Sequence, residues 1–152
     1  MFEKVRIEKP VKFTSGKTSN VFYDFDLLNF VEVEDLCWKI LRNSNLPFHD
    51  DIKFLATQAI GGVVPGFMMS GLTGLPLVIV DKDGLARGWK SEFVDKNYII
   101  IDDVVSTYKA VDNIMEALPN CKCKGIAAYM FRGDTERLNP PLYFLSRGEL
   151  EV

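Results

Sequence analysis

The sequence predicts an α/β domain with a mostly parallel sheet and helices on both faces. Three observations carry that prediction. Apolar runs alternate along the chain with stretches of helical period. Several runs, at residues 52–57, 75–81, 98–101 and 125–131, are nearly continuous rather than alternating, as expected for strands buried on both faces. The chain has 152 residues, 47% hydrophobic and 26% charged, which fits residues 1–152 as a single domain of ordinary globular composition.

The elements follow in order. Residues 21–25 predict an early strand. Leu36, Cys37, Ile40 and Leu41 recur at helical spacing and predict a helix over 33–42. A buried strand at 52–57 leads into Gly61 and Gly62, and 63–72 predicts the helix opened by that turn. A second apolar strand spans 75–81. Residues 83–96 are polar, contain glycine and lack a period, so a mobile loop is expected. A third strand, 98–101, ends at Asp102 and Asp103. A helix over 107–118 follows, with Ala110, Val111, Ile114, Ala117 and Leu118 on one face. Strands are expected at 125–131 and 142–145.

Composition removes several function classes. The longest apolar runs are a few residues, far short of the roughly 20 a membrane helix needs, so no membrane partner is expected. A net charge of −3 leaves no basic footprint for nucleic acid. The first nine residues carry Glu3, Lys4, Arg6, Glu8 and Lys9, and the three cysteines are odd in number. Both features lead to the expectation of reduced thiols in the cytoplasm. His49 is the sole histidine and sits in a turn-like segment, and Cys121 and Cys123 have no second pair. Zinc chemistry and a Ser-His-Asp triad are therefore disfavoured.

Right-handed crossovers place the C-terminal ends of parallel strands on one edge, where ligands of such sheets bind. On that edge the sequence places Asp102, Asp103, Val104, Val105, Ser106 and Thr107. Hydroxyls and free N–H groups at a helix start suit a phosphate. Carboxylates repel a phosphate but suit ribose hydroxyls or a magnesium ion. The competing explanation is a helix cap formed by Ser106 or Asp103. Gly61 and Gly62 allow N–H groups to face an anion, or form a plain strand-to-helix turn. Phe22 and Tyr23 alternate across a strand, so one can stack on a base while the other packs inward; core packing of both is the alternative. Arg132, at a strand end, offers a donor fork to a carboxylate or carbonyl, or forms a surface ion pair.

On these residues the chain resembles the type I phosphoribosyltransferases, and among them most the orotate phosphoribosyltransferase family. Ile99-Ile100-Ile101-Asp102-Asp103-Val104-Val105-Ser106-Thr107 resembles their phosphoribosyl-diphosphate signature. The segment 13–24, with Ser15, Gly16 and Ser19, is similar to the N-terminal substrate segment of the orotate enzymes. Thr57, Gln58, Ala59, Ile60, Gly61 and Gly62 are similar to the pyrophosphate loop, and Arg132 sits near the position of a base-contacting arginine.

The resemblance spans about residues 11–135 and implies a Rossmann-like sheet. It also implies transfer of ribose 5-phosphate from phosphoribosyl diphosphate to a nucleobase, with orotate the first candidate. Asp102 and Asp103 would hold the ribose hydroxyls, and residues 57–62 the pyrophosphate. Ser106, Thr107, Tyr108, Lys109 and Ala110 would cradle the 5'-phosphate. Lys82 and Arg87 would neutralise the departing pyrophosphate. Ser15, Gly16, Phe22, Tyr23 and Arg132 would meet the base. Magnesium is the implied cofactor, held mainly by the substrate, with Asp102 and Asp103 as candidate ligands. A homodimer is implied in which the 83–96 loop reaches across to the partner's site, with Trp89 and Phe93 of that loop expected at the interface.

The chain departs from the pattern in two places. Tyr108 stands where the family's phosphate loop has glycine, so Tyr108→Gly is expected to tighten phosphate binding. In the catalytic loop Leu85 replaces a lysine and Arg87 a histidine, leaving Lys90 and Lys96 as substitutes. These departures keep a second function open, a non-catalytic or regulatory module that binds a sugar phosphate or nucleotide.

Overall fold

The structure is a computed structural model and describes residues 1–12, 16–49 and 51–150. A one-turn helix α1 (Phe2–Val5) leads into an antiparallel hairpin of β1 (Arg6–Lys12) and β2 (Thr18–Tyr23). Then follow α2 (Phe30–Asn43), β3 (Ile52–Gln58), α3 (Val63–Thr73), β4 (Leu77–Val80), β5 (Ala86–Arg87) and β6 (Asn97–Val105). The chain continues through α4 (Lys109–Ala117), β7 (Lys122–Phe131) and β8 (Leu142–Arg147). The main sheet has the order β5-β4-β3-β6-β7-β8 and is parallel except for β5, which runs antiparallel to β4.

That order places the site. From β3 the chain crosses to β4 on one side, then returns past β3 to β6 and continues to β7 and β8. Right-handed crossovers that step in opposite directions put their helices on opposite faces. The core shows this: Met69 of α3, with Leu36 and Ile40 of α2, packs on the face carrying Ile99 and Ile101. Val111 and Ile114 of α4 pack on the face carrying Tyr98 and Ile100. The reversal falls between β3 and β6, and a crevice opens at their C-terminal ends.

Local signals explain the helix ends. Asn29 caps α2: its side chain accepts from the Glu32 N–H, while the Glu32 carboxylate accepts from the Asn29 N–H. Gly74, at φ +77°, closes α3 in the left-handed conformation.

Several expectations change. β6 does not stop before the acids; it runs through them to Val105, because β7 continues alongside and pairs Asp102 with Ala128 and Val105 with Phe131. α4 starts at Lys109 rather than residue 107, because Tyr108 has a left-handed backbone. The 83–96 segment is not a loose loop. It opens with a tight turn in which Asp81 Oδ1 accepts from the N–H groups of Asp83 and Leu85, and β5 then pairs with β4. Phe93 stacks on Phe54 at 4.6 Å, and Trp89 meets both rings edge-on. These two aromatics therefore pack on their own subunit and lend no support to a subunit interface. The β1–β2 hairpin has no separate strand signal in β1, since most of that strand is exposed and charged. His49 lies exposed in a turn, as expected.

Candidate functional site at the sheet switch point

A cleft of about 320 Å³ lies at the switch point. It is lined by Phe22 and Tyr23 from β2, Gly61 from the β3–α3 turn, the continuous run 102–111, and Arg132 after β7. A volume of a few hundred cubic ångströms suits a small polar metabolite.

The acid pair lies at its floor. Asp102 is 8% exposed and Asp103 half-buried. Asp102 Oδ1 accepts from the Asp103 N–H at 2.8 Å, and Asp103 Oδ1 accepts from the Val104 N–H at 2.7 Å. Burial pushes the Asp102 carboxyl well above the ordinary carboxylate range, and the neighbouring Asp103 charge adds to the shift. Asp103 is raised as well, chiefly by burial. The pair therefore carries unfavourable charge. Hydroxyl donors or a cation relieve that cost. The helix-cap alternative fails for both residues named: the N-cap of α4 is Tyr108, and no side chain caps the helix.

The opposite wall is the turn from β3 into α3. Thr57 is fully buried and its hydroxyl donates to the Ile101 carbonyl at 2.6 Å, so it ties β3 to β6 below the cleft. A Cβ on Gly62 would collide with Thr57 Oγ1, and one on Gly61 would fall 2.8 Å from both Asp103 carboxylate oxygens. Gly62 has an ordinary helical backbone. Its lack of a side chain thus serves close packing, and Gly61 is the residue of this turn that reaches the cleft. Gln58 and Ala59 are half-buried and Ile60 is exposed.

The 105–108 loop ends at α4, which begins with no side-chain cap. Ser106, Thr107, Lys109 and Ala110 line the cleft there. Tyr108 adopts φ +65°. For a bulky residue this conformation costs roughly 1–2 kcal/mol and needs support from its surroundings. The support is visible. The ring is 4% exposed and meets Phe131 edge-on at 6.1 Å; the Arg137 guanidinium lies 4.6 Å from its centroid. The Tyr108 hydroxyl accepts from the Arg137 N–H at 3.0 Å. Tyr108 thus supplies the backbone shape a glycine would give, with its side chain turned into the core. Sequence reasoning alone cannot see this, because the pocket for the ring comes from residues more than twenty positions away.

Arg132 departs from its expected role. It is 2% exposed, donates from Nε to the Glu149 carbonyl at 2.8 Å, and donates from Nη2 to Ser19 Oγ at 2.8 Å and the Val21 carbonyl at 3.0 Å. Its guanidinium also lies 4.9 Å from the Tyr23 ring centroid. The fork anchors the β1–β2 hairpin and the C-terminal segment to the end of β7. It borders the cleft through a guanidinium already committed to protein acceptors, which conflicts with a role as a base-contacting donor. Tyr23 is mostly buried beneath it, leaving Phe22 as the half-exposed ring of the pair.

Lys82 and Arg87 are not brought to the cleft. Lys82 lies in the β4–β5 turn, and Arg87 lies on β5, three strand spacings or about 14 Å from β6. Both are exposed, as are Lys90 and Lys96. Ser15 lies outside the described residues. Gly16 is exposed, with φ +88°. Sequence reading missed Arg137 and Asp112, which hold the border of the site; neither belongs to a local pattern. Ser19, named in segment 13–24, accepts from Arg132.

No family model matches the chain, and no curated protein sequence matches it. Solved structures do. Orotate phosphoribosyltransferase from Aeropyrum pernix is 17% identical, with a TM-score of 0.74 over 94% of this chain and 88% of that one. Adenine phosphoribosyltransferase from Thermoanaerobacter pseudethanolicus is 14% identical, with a TM-score of 0.67 over 97% and 98%. A hypothetical protein from Neisseria gonorrhoeae with bound ppGpp is 13% identical, with a TM-score of 0.58 over 80% and 82%. The chain has the fold of the type I phosphoribosyltransferases, and orotate phosphoribosyltransferases are among the structures it resembles.

Proposed function

We propose that this protein binds phosphoribosyl diphosphate at the switch-point cleft and transfers its ribose 5-phosphate to a nucleobase, with release of pyrophosphate. The observation that carries this reading is the joining, in one cleft, of a buried acid pair to the hydroxyl-bearing loop that leads into α4. The acids accept from ribose hydroxyls, and the hydroxyls and N–H groups of 106–110 receive the 5'-phosphate. Gly61 lies against the Asp103 carboxylate, where any side chain would intrude, and its turn would hold the pyrophosphate arm. Phe22 offers a ring to a base.

Among the described residues no three His, Cys, Asp or Glu side chains gather into a metal cage. The acid pair nonetheless suits a hard cation, so magnesium would be carried by the phosphates and would reach the protein at Asp102 and Asp103. Bound there, it would supply charge neutralisation for the leaving pyrophosphate. Orotate is the first base to test, on the strength of the resemblance of segment 13–24 and the likeness to orotate phosphoribosyltransferase structures. Incubation with magnesium, phosphoribosyl diphosphate and each common base in turn is expected to release pyrophosphate with one base. Calorimetric binding of phosphoribosyl diphosphate without release with any base selects the second reading, a binding module for a sugar phosphate or nucleotide.

The proposal includes a homodimer. Its support is an apolar groove between α2 and α3, where Phe30, Val64 and Phe67 are 71%, 50% and 61% exposed. A second copy of the chain laid across this groove would remove them from water. Light scattering at micromolar concentration is expected to give twice the chain mass, and Phe67→Glu to halve it. A monomer in the unmodified protein removes the dimer.

A further inference from the structure

The segment that follows β7 wraps the outer side of the 105–108 loop. The Arg132 N–H donates to the Val105 carbonyl at 2.8 Å. Gly133 abuts the Ser106 carbonyl so closely that a Cβ there would overlap it. Arg137 then closes the wrap from three sides. Its N–H meets the Tyr108 hydroxyl, its guanidinium covers the Tyr108 ring, and its Nη1 and Nη2 pair with both Asp112 carboxylate oxygens at 2.6 and 3.1 Å. Asp112 lies in the first turn of α4. A single side chain thus grips the residue before the helix and the helix itself.

Tyr108 differs in kind from the other non-glycine residues with positive φ among the described residues. Those are Asp51 and Asp95, a residue type that tolerates the left-handed region. Tyr108 does not tolerate it unaided, and removing one of its supports lets the backbone relax toward ordinary angles. That relaxation would change the shape of the 105–110 segment that lines the cleft.

We propose that Arg137 is a positioning residue for the phosphate loop: by clamping Tyr108 and Asp112 it holds the loop in its anion-receiving shape, and so sets the affinity for a 5'-phosphate. This rests on the phosphate role proposed above for residues 106–110.

The test uses Arg137→Ala. Arg137 is about half exposed, so the variant is expected to fold. Titrated calorimetrically with ribose 5-phosphate, it should bind about three- to tenfold more weakly than the unmodified protein, the scale of one lost cation–π contact and one loosened hydrogen bond. Affinity for pyrophosphate, which the proposal seats on the other wall, should not change. Arg137→Lys keeps the charge near Asp112 but not the planar stack, so it should stay weak; full recovery by lysine would show that charge alone acts and overturn the clamp. In the Tyr108→Gly background, Arg137→Ala should add no further loss, since glycine takes the left-handed conformation without a clamp. Equal ribose 5-phosphate affinity in Arg137→Ala and the unmodified protein overturns the positioning role and leaves the site intact. Absence of ribose 5-phosphate binding in the unmodified protein overturns the phosphate site and this inference with it.

Discussion

Replacing Asp102 and Asp103 together by asparagine is expected to abolish phosphoribosyl-diphosphate binding while raising thermal stability. Hydrogen bonds to charged acceptors contribute about 1.5–3 kcal/mol each, so losing two costs roughly 3–6 kcal/mol, or two to four orders of magnitude in affinity. The fold should survive, because an asparagine carbonyl can still accept from the Asp103-position and Val104 N–H groups as the carboxylates do now.

Stability should rise because both carboxyls have folded-state pKa values raised by burial, with Asp102 also raised by the charge of Asp103. A raised carboxyl pKa means the folded state binds protons more readily than the unfolded state. The pair therefore destabilises the fold at neutral pH, and the penalty fades as pH falls through the raised values toward the ordinary carboxylate value near 4. The advantage of the double variant in melting temperature should be largest at neutral pH and shrink on acidification. The half-buried Glu32, whose carboxyl pKa is lowered first by its hydrogen bond from Lys4, is present in both proteins and cancels in the difference. A melting temperature that drops while ligand affinity holds would identify the acids as structural. A difference that does not vary with pH would contradict their raised pKa values.

Tyr108→Gly should lower stability by about 2–3 kcal/mol. Removing a buried aromatic side chain costs about 3–5 kcal/mol, and release from the left-handed conformation returns about 1–2. For a chain of this length that is a fall in melting temperature of roughly 5–10 °C. The sequence leads to an expectation of tighter phosphate binding, on the view that the side chain obstructs the loop. The structure reverses it. The ring points into the core against Phe131, the backbone already has the shape a glycine would take, and nothing is cleared from the cleft. Ribose 5-phosphate affinity should stay level or fall. Tighter binding in the glycine variant would show that the loop is obstructed after all.

The parts of the site legible in the sequence were those written in consecutive residues. The apolar strand ending in Asp102 and Asp103, the hydroxyls after it and the glycine turn after β3 each form a local pattern, and the structure gathers the first two with Gly61 in one cleft. Arg132 was legible as a residue at a strand end but not as an anchor. Its acceptors, Ser19, Val21 and Glu149, lie 113, 111 and 17 positions away. Trp89 and Phe93 looked like aromatics in a polar loop in need of a partner; the partner is Phe54, on a strand far earlier in the chain.

The sequence by itself determined the alternation of strands and helices, the burial of the central strands and the edge on which a ligand would sit. Those follow from periodicity and from the handedness of crossovers, which act over short spans of chain. Only the tertiary structure decided which candidate side chains face the cleft. Thr57 is spent as a strut between strands and Arg132 as an anchor, Lys82 and Arg87 are carried to the far edge of the sheet, and Tyr108 is turned inward beneath Arg137. The physical reason is that a side chain's orientation and its hydrogen-bond partners are set by what packs against it, and those neighbours come from distant segments that no local pattern encodes.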